Sequence, residues 1–128
     1  MIVVVKYSYQ KNIAYSDRQT NTIYIDYSMS KNNFINCFYH ELSHLILKEK
    51  FDCKWYDTIK NTNRLIESEL MASRIAKRLC PEKYFSEKYL ISCLHSYICP
   101  PGMWKAWTKS FCKERVSIFR KIKKIGIK

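Results

Sequence analysis

The chain has 128 residues and a mass of 15.4 kDa, and 47% of its residues are hydrophobic and 15% aromatic, with only two Gly and three Pro. This composition excludes a disordered, collagenous or linker-rich protein, and the length suits one compact domain over residues 1–128. The 23 Lys and Arg against 11 Asp and Glu give a formal charge of +12, which favours acidic partners or polyanions.

The length of the apolar runs and the spacing of the cysteines indicate the cellular compartment. Runs such as Ile2 to Val5 are far too short for a transmembrane segment or a secretory signal. The six cysteines form no CxxC pair, so reduced thiols are expected rather than a disulfide framework. Both observations predict a cytoplasmic protein.

The first 27 residues of the chain have the pattern of β-strands. Residues 2–9 are β-branched and aromatic, and residues 23–27 alternate apolar with other side chains. A polar loop at 16–21 separates them, and 13–15 suit a short third strand. We therefore predict an α+β fold, with a small N-terminal antiparallel sheet packed on a zincin-like helix and further helices.

Helical periodicity begins after the capping residues Ser30 to Asn33 and recurs to the end of the chain. The second helix must end before Pro81, and the third before Pro100. The expected helices span about 33–49, 61–79, 86–98 and 103–125, the last of them basic and amphipathic.

The first helix contains His40-Glu41-Leu42-Ser43-His44, which is the HExxH pattern. Two imidazoles four positions apart lie on one side of a helix, so both can reach one Zn²⁺. Glu41 would then act as the base that activates a water molecule. The pattern predicts a zinc metalloendopeptidase, whereas the ordinary alternative is a pair of hydrogen-bonded core histidines.

A catalytic zinc needs a third protein ligand. The metzincin pattern is excluded because Leu47 and Lys50 stand where it needs Gly and His. A carboxylate from the second helix fits better, with Glu69 as first choice and Glu67 as alternative. The two cannot both face the metal, because residues two apart on a helix point in nearly opposite directions. Glu69 is preferred because its helical neighbours are apolar or small.

Other metal-binding groups rank lower. A loop between the two helices offers Asp52, Cys53 and Asp57. A separate structural zinc site would need Cys93, His95, Cys99 and Cys112, whose spacing matches no established pattern.

Residues 20–81 resemble the ImmA/IrrE family of small metallopeptidases. The likeness lies in Ile23-Tyr-Ile-Asp-Tyr-Ser, in Phe38-Tyr-His-Glu-Leu-Ser-His-Leu-Ile-Leu, and in Glu67-Ser-Glu69 followed by a helix that closes at Leu79-Cys-Pro81. The chain departs from the family pattern at Leu70 and Met71, which follow Glu69, and at Ser43, which stands in place of a common Gly. The resemblance implies site-specific cleavage of a DNA-binding repressor of a phage, a mobile element or a stress response.

Positive charge is concentrated near the C-terminus, where residues 105–128 hold nine Lys or Arg and one acid, Glu114. This segment predicts either a helix that packs its apolar side on the domain or a patch that contacts DNA phosphates or an acidic repressor surface. The rival functions are a SprT-like protease acting on DNA-associated proteins and a non-catalytic DNA-binding or interaction module with a degenerate HExxH.

Overall fold

The computed structural model describes residues 2–11, 13–47, 62–100 and 102–127. Within these ranges three strands precede five helices, so the predicted α+β class is confirmed. None of the helices described is both long and apolar enough to cross a membrane. The elements are β1 (Val4–Ser8), β2 (Ala14–Asp17), β3 (Thr22–Asp26), α1 (Lys31–Ile46), α2 (Thr62–Leu79), α3 (Glu87–Ile98), α4 (Met103–Ala106) and α5 (Lys109–Ile125).

The sheet is mixed, so the prediction of an antiparallel sheet is wrong for one of its two strand pairs. The strand order is β1-β3-β2, with β2 antiparallel to β3 and β1 parallel to β3. At the end of β3, the Asp26 amide donates to the carbonyl of Ile13, the residue before β2, at 2.9 Å. The two strands that flank β3 therefore run in opposite directions.

One face of the sheet packs on α1. Ile23 and Ile25 point inward from β3 and are fully buried with Leu45 of α1, and four partly buried side chains of α1 and the preceding loop cover them. Ser30 caps the helix by accepting a hydrogen bond from the Asn33 amide at 3.3 Å. This packing fixes the orientation of α1. The covering side chains are Met29, Phe34, Phe38 and Leu42.

Asn36 joins α1 to the start of α3. Its side-chain amide donates to the Tyr84 carbonyl at 2.8 Å, and its Oδ1 accepts a hydrogen bond from the Ser86 amide at 2.8 Å. Ser86 in turn caps α3 by accepting from the Tyr89 amide. A fully buried amide therefore sets the distance between α1 and α3.

The single helix predicted over 103–125 is wrong, because the structure breaks it into α4 and α5. Trp107 is extended, and Thr108 begins α5 by accepting a hydrogen bond from the Phe111 amide at 3.3 Å. The hydroxyl cap competes with continuation of the helix. After α5, Gly126 adopts a positive φ of 82°, and fully buried Ile127 donates its amide to Glu87 Oε1.

Candidate metal centre

Helix α1 places its two histidines one turn apart on the side that faces α2. The rings of His40 and His44 meet edge to face, with centroids 4.7 Å apart and the two Nε2 atoms 3.1 Å apart. Both residues are less than one-tenth exposed. The helical repeat therefore brings two imidazole nitrogens to one buried point.

Helix α2 adds a carboxylate to the same point. Glu69 Oε2 lies 2.9 Å from His40 Nε2, and both carboxylate oxygens lie 3.3 Å from His44 Nε2. Glu69 is only 8% exposed, whereas Glu67, two residues earlier, is exposed to solvent. The structure thus brings Glu69 to the histidines and leaves Glu67 away from them.

The spacing of these atoms suits a tetrahedral metal ion. Ligand atoms about 2.05 Å from a zinc ion lie about 3.3 Å from one another in a tetrahedron. The separations found here are 2.9, 3.1 and 3.3 Å, so a shift of a few tenths of an ångström would admit the ion. Among the residues that the structure describes, His40, His44 and Glu69 form the only group of three metal-ligating side chains.

Ser73 supports the ring of His40 from the other side. Its Oγ lies 3.2 Å from His40 Nδ1, and the residue is fully buried. A neutral imidazole whose Nε2 presents a lone pair carries its proton on Nδ1, so Ser73 is then the acceptor of that proton. Ser73 is not among the site residues predicted from the sequence, although its position four residues after Glu69 puts it on the same face of α2.

The buried carboxylates have strongly shifted pKa values in opposite directions. Burial alone would raise the pKa of Glu69, but the adjacent His44 and His40 hold that pKa well below its usual range. Burial raises the pKa of Glu41 to about 7; the charge of Glu69 adds to the rise, and His40 opposes it. One carboxylate thus stays ionised while the other is poised to exchange a proton near neutrality.

A cavity of about 240 Å³ opens beside these groups. Glu41 lines it, and Ile13 and Ala14 form the wall contributed by β2 and the residue before it. The remaining wall comes from α1, α2 and α3. Its lining residues there are Cys37, His40, Glu69, Tyr89, Leu90, Cys93, Leu94 and Ser96.

The sequence offers two other groups of candidate metal ligands. Asp52, Cys53 and Asp57 lie outside the described residues. The structure does not bring together Cys93, His95, Cys99 and Cys112. The His95 ring contacts Phe119 at 4.8 Å, and the thiol of Cys112 donates to the Met103 carbonyl in an apolar cluster that also holds Cys99.

The basic C-terminal segment combines an apolar inner face with a charged outer one. Ile122 and Cys112 of α5 pack against Leu94 and Ile98 of α3. Arg115 is also buried, and its Nε donates to the Ile98 carbonyl at 2.5 Å. Six other basic side chains of α5 are exposed, and we call them the basic face: Lys109, Lys113, Arg120, Lys121, Lys123 and Lys124.

Comparison of the chain with protein-family models, curated proteins and solved structures finds no match in any of the three. The resemblance to ImmA/IrrE peptidases stays a prediction.

Proposed function

We propose that the protein is a zinc-dependent peptidase whose metal ligands are His40, His44 and Glu69. The observation that carries the proposal is the convergence of three ligand atoms within 3.3 Å of one another, from two helices, at the edge of a cavity that also contains Glu41. Three protein ligands leave the fourth position of a tetrahedral zinc for water or substrate, as catalytic sites require.

Zinc bound there would polarise a peptide carbonyl and lower the pKa of water, which is the chemistry that hydrolysis needs. Glu41 takes the proton of the attacking water on its carboxylate and returns it to the leaving amine. Its raised pKa, about 7, suits both transfers near neutral pH. Ser73 holds the ring of His40, and the apolar wall from Ile13 and Ala14 limits water around the reacting bond.

An extended peptide fits the position of the cavity in the fold. β2 is an edge strand of the described sheet, pairing with β3 on one side, and its first residue, Ala14, lines the cavity. An edge strand can pair with an added peptide strand through main-chain hydrogen bonds, which give affinity with little dependence on side chains. The substrate would then lie along β2 with its scissile bond near His40 and Glu41.

The proposed substrate class is a DNA-binding repressor, which the resemblance over residues 20–81 suggests. A SprT-like protease is less favoured because the third group beside the histidines is the carboxylate of Glu69, while His95 packs against Phe119. A non-catalytic module is less favoured because such a module gains nothing from burying His40, His44 and Glu69 against one another.

Metal content tests the proposal. The purified protein should contain one zinc per chain, and Glu69→Ala should lose most of it. Glu67→Ala is the matched control, since it removes an exposed carboxylate of the same helix and should leave the zinc unchanged. Purified repressor proteins are then assayed for cleavage with and without a chelator. Zinc-free wild-type protein, or equal zinc in both variants, would contradict the proposed site.

A further inference from the structure

Two cysteine thiols meet in the same cavity, and the proposed hydrolysis does not use them. Cys37 lies on α1, one turn before His40, and Cys93 lies on α3. The Tyr89 hydroxyl lies 3.2 Å from the sulfur of Cys37, and Cys93 lies one turn after Tyr89 on the same face of α3. Both cysteines line the 240 Å³ cavity, so a small oxidant that enters it can reach them.

The surroundings of this pair differ from those of Cys99 and Cys112. Cys99 and Cys112 lie in the apolar cluster between α3 and α5, and burial raises the pKa of Cys99. The neighbouring Cys37 side chain instead lowers the pKa of Cys93 to about 7, and Tyr89 lowers it further. The pair therefore has an attacking thiol in Cys93 and a protonated neighbour in Cys37.

We propose that Cys37 and Cys93 form a reversible disulfide when the protein meets a peroxide, joining α1 to α3 across the cavity. The Cys93 thiolate attacks one peroxide oxygen, the O–O bond breaks, and hydroxide leaves, giving a sulfenic acid at Cys93. The sulfur of Cys37, losing its proton, then displaces hydroxide from that sulfenic acid and forms the S–S bond. Two thiols and one hydrogen peroxide yield one disulfide and two waters.

The disulfide would act on the cavity that contains His40, Glu41 and Glu69. Formation of the disulfide would draw α3 toward α1 at the level of Cys37, one turn from the first histidine. It would also immobilise a wall of the cavity that a substrate must pass. Peptide cleavage should therefore stop on oxidation and return on reduction. This consequence depends on the proposed peptidase function, whereas the disulfide itself does not.

Peptide mapping tests the pair directly. The full-length protein is treated with hydrogen peroxide, alkylated under denaturing conditions and digested with trypsin without reductant. We expect the free thiols to fall by two per chain and peptide Asn32–Lys48 to be joined to peptide Tyr89–Lys105, with dithiothreitol separating them. The second peptide contains both Cys93 and Cys99, so variants must distinguish them.

Cys93→Ala should abolish the cross-link, whereas the matched variant Cys99→Ala should retain it, and circular dichroism of each variant shows whether it has folded. All thiols remaining free in wild-type protein, a cross-link to Cys53, or a cross-link that survives Cys93→Ala would overturn the proposal. A cross-link found in a protein without peptidase activity in either state would leave the thiol pair standing and count against the proposed function.

Discussion

The α1–α2 region and the α3–α5 region both bury charged or polar side chains, but with different partners. In the first, His40, His44 and Glu69 point their ligand atoms at one another. In the second, Arg115 donates to the carbonyl of Ile98 and lies over the Trp107 ring at 4.7 Å. The first arrangement has the spacing of a metal shell, whereas the second satisfies a charge with ordinary protein groups.

Burial of a polar side chain therefore does not by itself mark a functional site. Arg115 is more deeply buried than the histidines, yet its partners give it a structural task, because the Ile98 carbonyl is at the C-terminal end of α3 and has no partner within that helix. Substitutions in the α1–α2 region should therefore change zinc binding or cleavage, whereas substitution of Arg115 should change stability.

The largest effect is expected from Glu41→Gln. The amide cannot take a proton from water, so cleavage of a repressor substrate should fall about 1,000-fold, the usual size of a general-base contribution. Zinc content should stay at the wild-type level, because Glu41 is not among the three grouped ligand atoms. Glu67→Gln is the matched control and should cleave normally. Full cleavage by a zinc-loaded Glu41→Gln protein would refute the role of Glu41.

The second prediction concerns the α3–α5 region, where Arg115→Met should lower stability without touching the metal. The Ile98 carbonyl loses its donor, and the stacking on Trp107 and Phe111 is lost, which together should cost about 2 kcal/mol of unfolding free energy. Urea unfolding measures the loss, and zinc content should not change. Arg120→Met, at an exposed position of the same helix, should change stability by less than about 0.5 kcal/mol.

A smaller effect on the metal centre is expected from Ser73→Ala. The loss of the hydrogen bond to His40 Nδ1 frees the ring to turn, so zinc affinity should fall about tenfold, at the low end of such supporting interactions. Competition with a chromophoric chelator measures the affinity. Ser92→Ala is the matched control, because its hydroxyl donates to the carbonyl of Tyr89 on the exposed side of α3. Equal affinities of the two variants would rule out a supporting role for Ser73.

The sequence predicted the grouping of His40, His44 and Glu69 better than it predicted the order of the strands, for physical reasons. The helical repeat fixes the relation of His40 to His44 whatever surrounds the helix, and the apolar neighbours of Glu69 favoured its inward direction over that of Glu67. The mixed sheet was not predicted, because the alternation of apolar and polar side chains shows where strands lie but not which strand occupies the centre of the sheet.

Two further features that the sequence did not predict depend on contacts between elements. Ser73 supports His40 only because α2 packs against α1, and neither helix alone indicates that hydrogen bond. The meeting of Cys37 and Cys93 likewise requires α1 and α3 to be held together, which the buried amide of Asn36 does at the start of α3. Side-chain pairs of this kind follow from packing, so period and spacing along the chain cannot reveal them.

The smallest effect is expected at the basic face of α5. If these side chains contact DNA phosphates, Lys121→Gln with Lys124→Gln should reduce the dependence of log affinity for duplex DNA on log salt by about 1.8, since each phosphate contact contributes about 0.9. The control Lys6→Gln with Lys77→Gln removes the same charge from exposed sites elsewhere and should leave that slope unchanged. Fluorescence anisotropy over a salt series measures it. Equal slopes in both variants would mean that the exposed lysines of α5 are hydrated surface charges that do not contact DNA. The helix would then contribute to the fold alone, through its buried face.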